Sequence, residues 1–177
     1  MEYKDVVAEV DNLFKVIPLK VFRKTEGVVF DIANMNYLPK IDGIDRVIHQ
    51  KNALSPGSIG ETKRPWYMHP HQEDNLLVLF GTRVVDLYTP EHGKIETFEI
   101  NPHSIKRNGE LIYDGGAILS TSVKVFHRIR TGEKGSASIN FAVRHPEIDM
   151  KTNFNIYKLD TDTDEYEVIR EGYKDQN

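Results

Sequence analysis

An all-β fold, a sandwich or barrel in a single domain, is predicted by two features of the sequence. Short β-prone segments alternate with turn chemistry along most of the chain. The 177 residues also fit one domain, and no linker, repeat or low-complexity tract divides them. A third feature suggests what such a fold would carry. His69-Pro70-His71 stands just ahead of the apolar run Leu76-Leu77-Val78-Leu79-Phe80.

The elements follow in order. Residues 2–15 read as a helix, because Val6, Val7, Val10, Leu13 and Phe14 recur at three- and four-residue spacing until Pro18 stops the pattern. Residues 1–20 are thus expected to form a helical arm that packs on the body or on a second subunit. Residues 20–32 turn β-like, with Gly27 as punctuation. From 41 to 145 lies the expected barrel core. Its segments 46–49, 66–71, 76–80, 83–88, 95–100, 111–113, 123–130 and 138–144 are separated by turns such as Asp42-Gly43, Ser55-Pro56-Gly57, Asn108-Gly109 and Asp114-Gly115-Gly116. Residues 153–170 look like one more hairpin, turning at Asp162-Thr163-Asp164.

Composition narrows the function classes. Net charge is −4 with no basic block, which argues against nucleic acid or an anionic membrane surface as partner. The longest apolar run, five residues, is far short of the roughly 20 that a membrane span needs. Met1-Glu2-Tyr3-Lys4-Asp5 lacks the start of a secretory signal, so a cytoplasmic location is expected. With no cysteine, thiolate sites and cysteine nucleophiles are excluded, and any metal must be held by imidazole and oxygen. No H-E-x-x-H, P-loop, G-x-S-x-G or dinucleotide fingerprint is present. The acidic run 160–165 lacks the glycine of a calcium loop, since Glu165 stands in its place.

Strand parity then points at the histidines. Alternate side chains share a face, so His69 and His71 would leave one side of a strand together. In segment 123–130 the odd positions are Val123, Val125, His127 and Ile129, which puts His127 on the buried face. A buried imidazole needs a partner, at a cost of about 1–3 kcal/mol if it has none. A shared ion is one such partner, and separate hydrogen bonds to carbonyls or carboxylates are another. Arg83 shares parity with Val85 and Leu87, which makes it the best candidate for an inward charge that orients a carboxylate or phosphate. Tyr67 beside His69 suits general acid–base chemistry. His145 shares parity with Ile139, Phe141 and Val143, and reads as a strand-end residue at the rim or a fourth ligand. His49, His92 and His103 read as surface residues.

In these residues the chain resembles the cupin superfamily. Gly60, His69, His71 and Gly81 match its first motif, and Gly116 and His127 match the ends of its second. Ser122 and Lys124 replace the second motif's proline and glycine. The motif's carboxylate falls on Asp74 when counted back from Gly81 and on Asn75 when counted forward from His71, while Glu73 has the parity of the histidines. The resemblance implies a double-stranded β-helix barrel, with a divalent transition metal (iron, manganese, nickel or zinc) held by His69, His71, His127 and either Glu73 or Asp74. A looser likeness is to the metal-free sugar-nucleotide epimerases of the same barrel class, which use a histidine base; Trp66 stands where they carry an arginine.

The expected function is isomerase or epimerase chemistry on a small polar, carbohydrate-like molecule, by family analogy. His69, Tyr67 and Arg83 are the expected catalytic groups. The alternatives are a metal-free sugar-nucleotide epimerase, an iron dioxygenase, and a module that only binds a small molecule. A homodimer is expected, because open sheet edges and the amphipathic arm need cover.

Overall fold

The computed structural model describes residues 5–177, and among them every extended element is a strand. The N-terminal helix is not there. Residues 1–4 of the expected arm lie outside the described residues; the rest forms β1 (Ala8–Val10) and β2 (Phe14–Pro18), an antiparallel hairpin. Asn12, at φ 58°, makes the turn between them. β3 (Lys20–Thr25) and β4 (Val28–Ile32) pair only with each other.

β5 (Gly43–His49), β6 (Leu54–Ser55), β7 (Trp66–Met68), β8 (Gln72–Tyr88), β9 (Glu96–Asn101), β10 (Ser104–Arg107), β11 (Glu110–Asp114), β12 (Ala117–Thr121) and β13 (Phe126–Arg144) build the body. β14 (Ile156–Leu159) and β15 (Tyr166–Arg170) form a final hairpin against β7. The two long strands, β8 and β13, run antiparallel along most of their length, and the shorter strands add to either end. Both bend midway. Gly81 and Gly135 sit there with φ of 69° and 68°, and a Cβ on Gly81 would strike the backbone of Gly135. Only glycine fits such a left-handed, close approach. The bend lets each strand serve both halves of the barrel.

The main core lies between the halves, where Val16, Leu87, Phe98, Ile100, Ile105 and Leu119 are at most 1% exposed. A second cluster of Trp66, Tyr88, Phe126 and Tyr157 lies under the C-terminal hairpin. It explains why Phe126 is buried although it faces away from His127: the hairpin covers the outer side of the sheet there. Among the described residues no helix is long and apolar enough to cross a membrane.

Candidate active site

A cavity of about 390 Å³ opens inside the barrel. Its polar lining comes from β5, β6, β7, β8, β12 and β13 and from His69 just past β7, and Phe154 closes one side. At one end His69, Asp74 and His127 converge, with ligand-capable atoms within 4.8 Å of one another.

The chain makes this meeting by interrupting a strand. β7 ends at Met68, His69 begins the connection, and β8 starts only at Gln72. Parity therefore does not carry across Pro70. His69 turns in, 6% exposed, whereas His71 gives its backbone carbonyl to the His145 amide (2.8 Å) and stands outside the cluster. Glu73 also points elsewhere and pairs with His145 at 2.7 Å. Of the residues expected to hold a metal, the structure brings together His69, Asp74 and His127, and leaves His71 and Glu73 apart.

Each inward imidazole is anchored by one nitrogen. His69 Nδ1 contacts the Asn153 carbonyl (2.5 Å), and His127 Nδ1 the Val125 carbonyl (3.2 Å). With Nδ1–H donating in both rings, each Nε2 is left for chemistry. His69 Nε2 lies 3.3 Å from Asp74 Oδ2, and the two rings are 4.8 Å apart. Asp74 Oδ1 accepts from Gln72 Nε2 (2.8 Å) and Asn140 Nδ2 (2.9 Å). Tyr67 is the strand partner of His127, with its ring 5.9 Å away.

The electrostatics separate the two histidines. Burial works against charge on both. On His69 it is outweighed by Asp74 and the Asn153 carbonyl, so its pKa rises. On His127 burial and the neighbouring His69 push the pKa down to about 4. Asp74 is half-buried, and desolvation would raise its pKa, yet His69 beside it holds its carboxyl well below the usual carboxylate range. Burial pushes the Tyr67 phenol up. One imidazole is thus inclined to hold a proton and its neighbour to lack one.

The donor set also suits a divalent transition ion, since two imidazoles and one carboxylate lie close enough together and the Nδ1 anchors resemble those that fix metal-bound histidines.

Several site residues escaped the sequence reading. Asn140 lines the cavity because the register of β13 shifts between Thr131 and Ser136 and again between Ala137 and Ser138. Beyond those bulges Ser138, Asn140 and Ala142 face in, and Ile139, Phe141 and Val143 face out. His145 goes out with the latter set, to the rim. His49 is half-buried and lines the cavity, contrary to the surface position expected of it. His92 is not a free surface group either, because it bonds Glu96 at 2.8 Å. Asn153 and Phe154 sit in a connection before β14, where no periodicity could signal them.

No protein-family model and no curated protein matches this chain. Solved structures do. A sugar 3,4-ketoisomerase, QdtA of Thermoanaerobacterium thermosaccharolyticum in complex with TDP, superposes with TM-score 0.55 at 15% identity, over 78% of this chain and 85% of that one. A histidine-to-asparagine mutant of the same enzyme, in complex with TDP-4-keto-6-deoxyglucose, gives 0.53 at 14% identity, over 78% and 85%. The TDP-quinovose 3,4-ketoisomerase WlaRB of Campylobacter jejuni gives 0.52 at 13%, over 79% and 89%. In fold, this chain stands with those isomerases.

Proposed function

We propose that the cavity is the active site of a sugar isomerase that moves a proton between carbons beside a carbonyl. The observation that carries this reading is the pair of buried imidazoles with opposed proton affinities, 4.8 Å apart. Sites that push two titratable groups apart provide an acid and a base at one pH. His127, whose Nε2 is a free lone pair, takes the proton from the carbon next to the carbonyl. His69, protonated and backed by Asp74, gives its Nε2 proton to the carbonyl oxygen, which forms the enediol. Return of the carbon-bound proton from His127 to the former carbonyl carbon, and of the neighbouring hydroxyl proton to His69, completes a keto isomerisation in which no atom is gained or lost. Tyr67, within the same wall, orients the sugar hydroxyls.

The size of the site supports a monosaccharide unit, because about 390 Å³ is near the low end of ligand pockets, roughly 300–1,000 Å³. A nucleotide attached to such a sugar would lie at the mouth. QdtA is found with TDP and, as the mutant, with TDP-4-keto-6-deoxyglucose, which makes keto-sugars, free and TDP-linked, the panel to try.

The experiment is solvent deuterium exchange, followed by NMR, for the wild type and for His127→Asn and His69→Asn. Exchange that both variants lose supports the reading. No exchange across the panel, or exchange that both variants keep, ends it.

A second reading is favoured by the His69–Asp74–His127 donor set. These three would hold one iron, manganese, nickel or zinc ion, which when bound would polarise the substrate carbonyl as a Lewis acid. Elemental analysis and chelation decide between them. Activity that survives removal of metal belongs to the histidine pair alone, and activity lost to chelator and restored by one ion belongs to the metal.

We further propose a homodimer. Ile48, Ala137 and Phe80 form one row across β5, β13 and β8 on the outer face, with Ile48 52% and Phe80 55% exposed. The β3–β4 hairpin adds Phe22 and Phe30, both more than half exposed. An apolar surface of this kind is suited to a second copy. Light scattering at micromolar concentration should give twice the chain mass, and Ile48→Lys should halve it; a monomeric wild type rules the dimer out.

A further inference from the structure

The cavity holds a charge that proton transfer between His127 and His69 does not use. Arg83 is 2% exposed, on β8 just past the Gly81 bend. Its Nε bonds Ser136 Oγ (3.0 Å) and its Nη2 the Val47 carbonyl (3.3 Å). Arg64, Arg107, Arg128 and Arg170 each meet a carboxylate, but among the described residues Arg83 meets none. Burial lowers its pKa only to about 10, so it remains a cation at neutral pH. A buried, unpaired guanidinium is costly to a fold unless something else supplies the negative charge. Next to it, His49 Nδ1 is buried without a hydrogen-bond partner. Burial and the Arg83 charge hold that ring's pKa near 4, so it offers a neutral polar atom.

Position adds to this. Arg83 is the strand partner of Thr131 and Leu87 that of His127, so four residues of β13, about 13 Å of strand, separate the two ends of the cavity. A ligand with its reacting carbons at His127 would reach toward Arg83 with its far end.

We propose that Arg83, aimed by Ser136 and assisted by His49, is a subsite for a carboxylate, and that the sugar this chain takes is a sugar acid. This deepens the isomerase reading and rests on it for the word sugar. A carboxylate fits better than a phosphate. One planar guanidinium matches one planar monoanion in two parallel hydrogen bonds, whereas a dianionic phosphate would call for a second cation, and among the described residues Arg83 is the only lysine or arginine that lines the cavity.

The test is equilibrium binding without turnover, so that its outcome is separate from that of the exchange assay. Calorimetry and thermal shift are run with D-glucuronate and D-galacturonate, their parent sugars D-glucose and D-galactose, and D-glucose 6-phosphate. Wild type should bind a uronate at least tenfold more tightly than its parent sugar and more tightly than the sugar phosphate. Arg83→Met should erase that preference, and Arg83→Lys, which keeps the charge but not the fork, should reduce it. Should Arg83→Met fail to fold, Ser136→Ala serves, with the preference for the uronate over its parent sugar reduced. Uronates that bind no better than their parents, a preference that persists in the variants, or a sugar phosphate that binds more tightly overturns the proposal.

Discussion

Two carboxylates of this barrel, held in different surroundings, serve opposite ends. Glu96, at the start of β9, is fully buried and held on all sides. Arg107 grips both its oxygens (2.8 and 2.9 Å), while His92 and Asn108 add bonds at 2.8 and 2.7 Å. Those contacts keep its carboxyl well below the usual range, and Arg107 in turn lies 4.8 Å above the Phe14 ring. Every lone pair is committed, and the partner is a permanent cation. Asp74 is secured on one side only, by the neutral amides of Gln72 and Asn140; its other oxygen faces imidazoles that change charge. The first arrangement cements β9 to β10. The second leaves a charge balance open to substrate, which is what a reactive site needs.

Changing both carboxylates to amides should separate these roles, with the largest effects first. His127→Asn sets the scale for the cavity: turnover should fall by about 10²–10⁴-fold, as when a general base is lost, while the melting temperature stays near wild type. Asp74→Asn should follow it, with activity down about 10–100-fold as for loss of a partner that orients a reactive histidine. Its Oδ1 can still accept from Gln72 and Asn140, so the fold should hold. Glu96→Gln should do the reverse. It leaves Arg107 without its countercharge and costs about 3 kcal/mol of stability, a fall of roughly 6–12 °C in melting temperature for a chain of this length, with catalysis per folded molecule unchanged. Equal loss of stability in the two amide variants would erase the distinction.

Acid should act on the two regions in different intervals. His49 and His127 have folded pKa values near 4, below the ordinary histidine value of about 6.5. As pH drops from 6.5 toward 4, the unfolded chain takes up protons that the folded chain refuses, so stability declines across that interval and this contribution is flat below it. Glu96 is depressed as well, but as an acid. Its stabilisation is intact above about pH 4.5 and is lost as pH falls through its lower folded value. His69, whose pKa is raised, contributes stability that is fully present below about pH 6.5, so from there down to pH 3 melting temperatures should decline in two stages. His49→Asn should flatten the upper stage by up to half, and Glu96→Gln the lower. A single transition confined below pH 4 would mean that the cavity histidines are not held neutral.

Much of the barrel could be read from the chain, because strand length and turn chemistry are local properties: Asn108-Gly109 and Asp114-Gly115 turn where they were expected to. The N-terminal hairpin could not. Val6, Val7, Val10, Leu13 and Phe14 have helical spacing only because Asp11 and Asn12 insert a turn between two strands, each of which puts apolar residues on the core. The valines, β-branched, were the contrary sign. The site was legible as far as parity survives. His127 faces in because nothing interrupts residues 126–131, whereas Asn140 and His145 lie past bulges that reverse the faces. Register shifts are set by the partner strand, and a single sequence has no way to announce them.

The smallest expected effect falls on the residue that first drew attention. His71 shares the triplet with His69, yet the strand break at Pro70 sends it to the rim beside Glu73 and His145. There, ion pairs near solvent contribute at most about 1 kcal/mol. His71→Ala and Glu73→Gln should each change turnover less than about twofold and stability by less than about 1 kcal/mol, in contrast to His69→Asn, which removes a group held by Asn153 and facing Asp74. Loss of activity in His71→Ala comparable to that in His69→Asn would require the connection 69–71 to close over the cavity when substrate is bound, with His71 turning in to join the other two imidazoles. Activity that is unchanged in His71→Ala and abolished in His69→Asn fixes the working set as His69, Asp74 and His127.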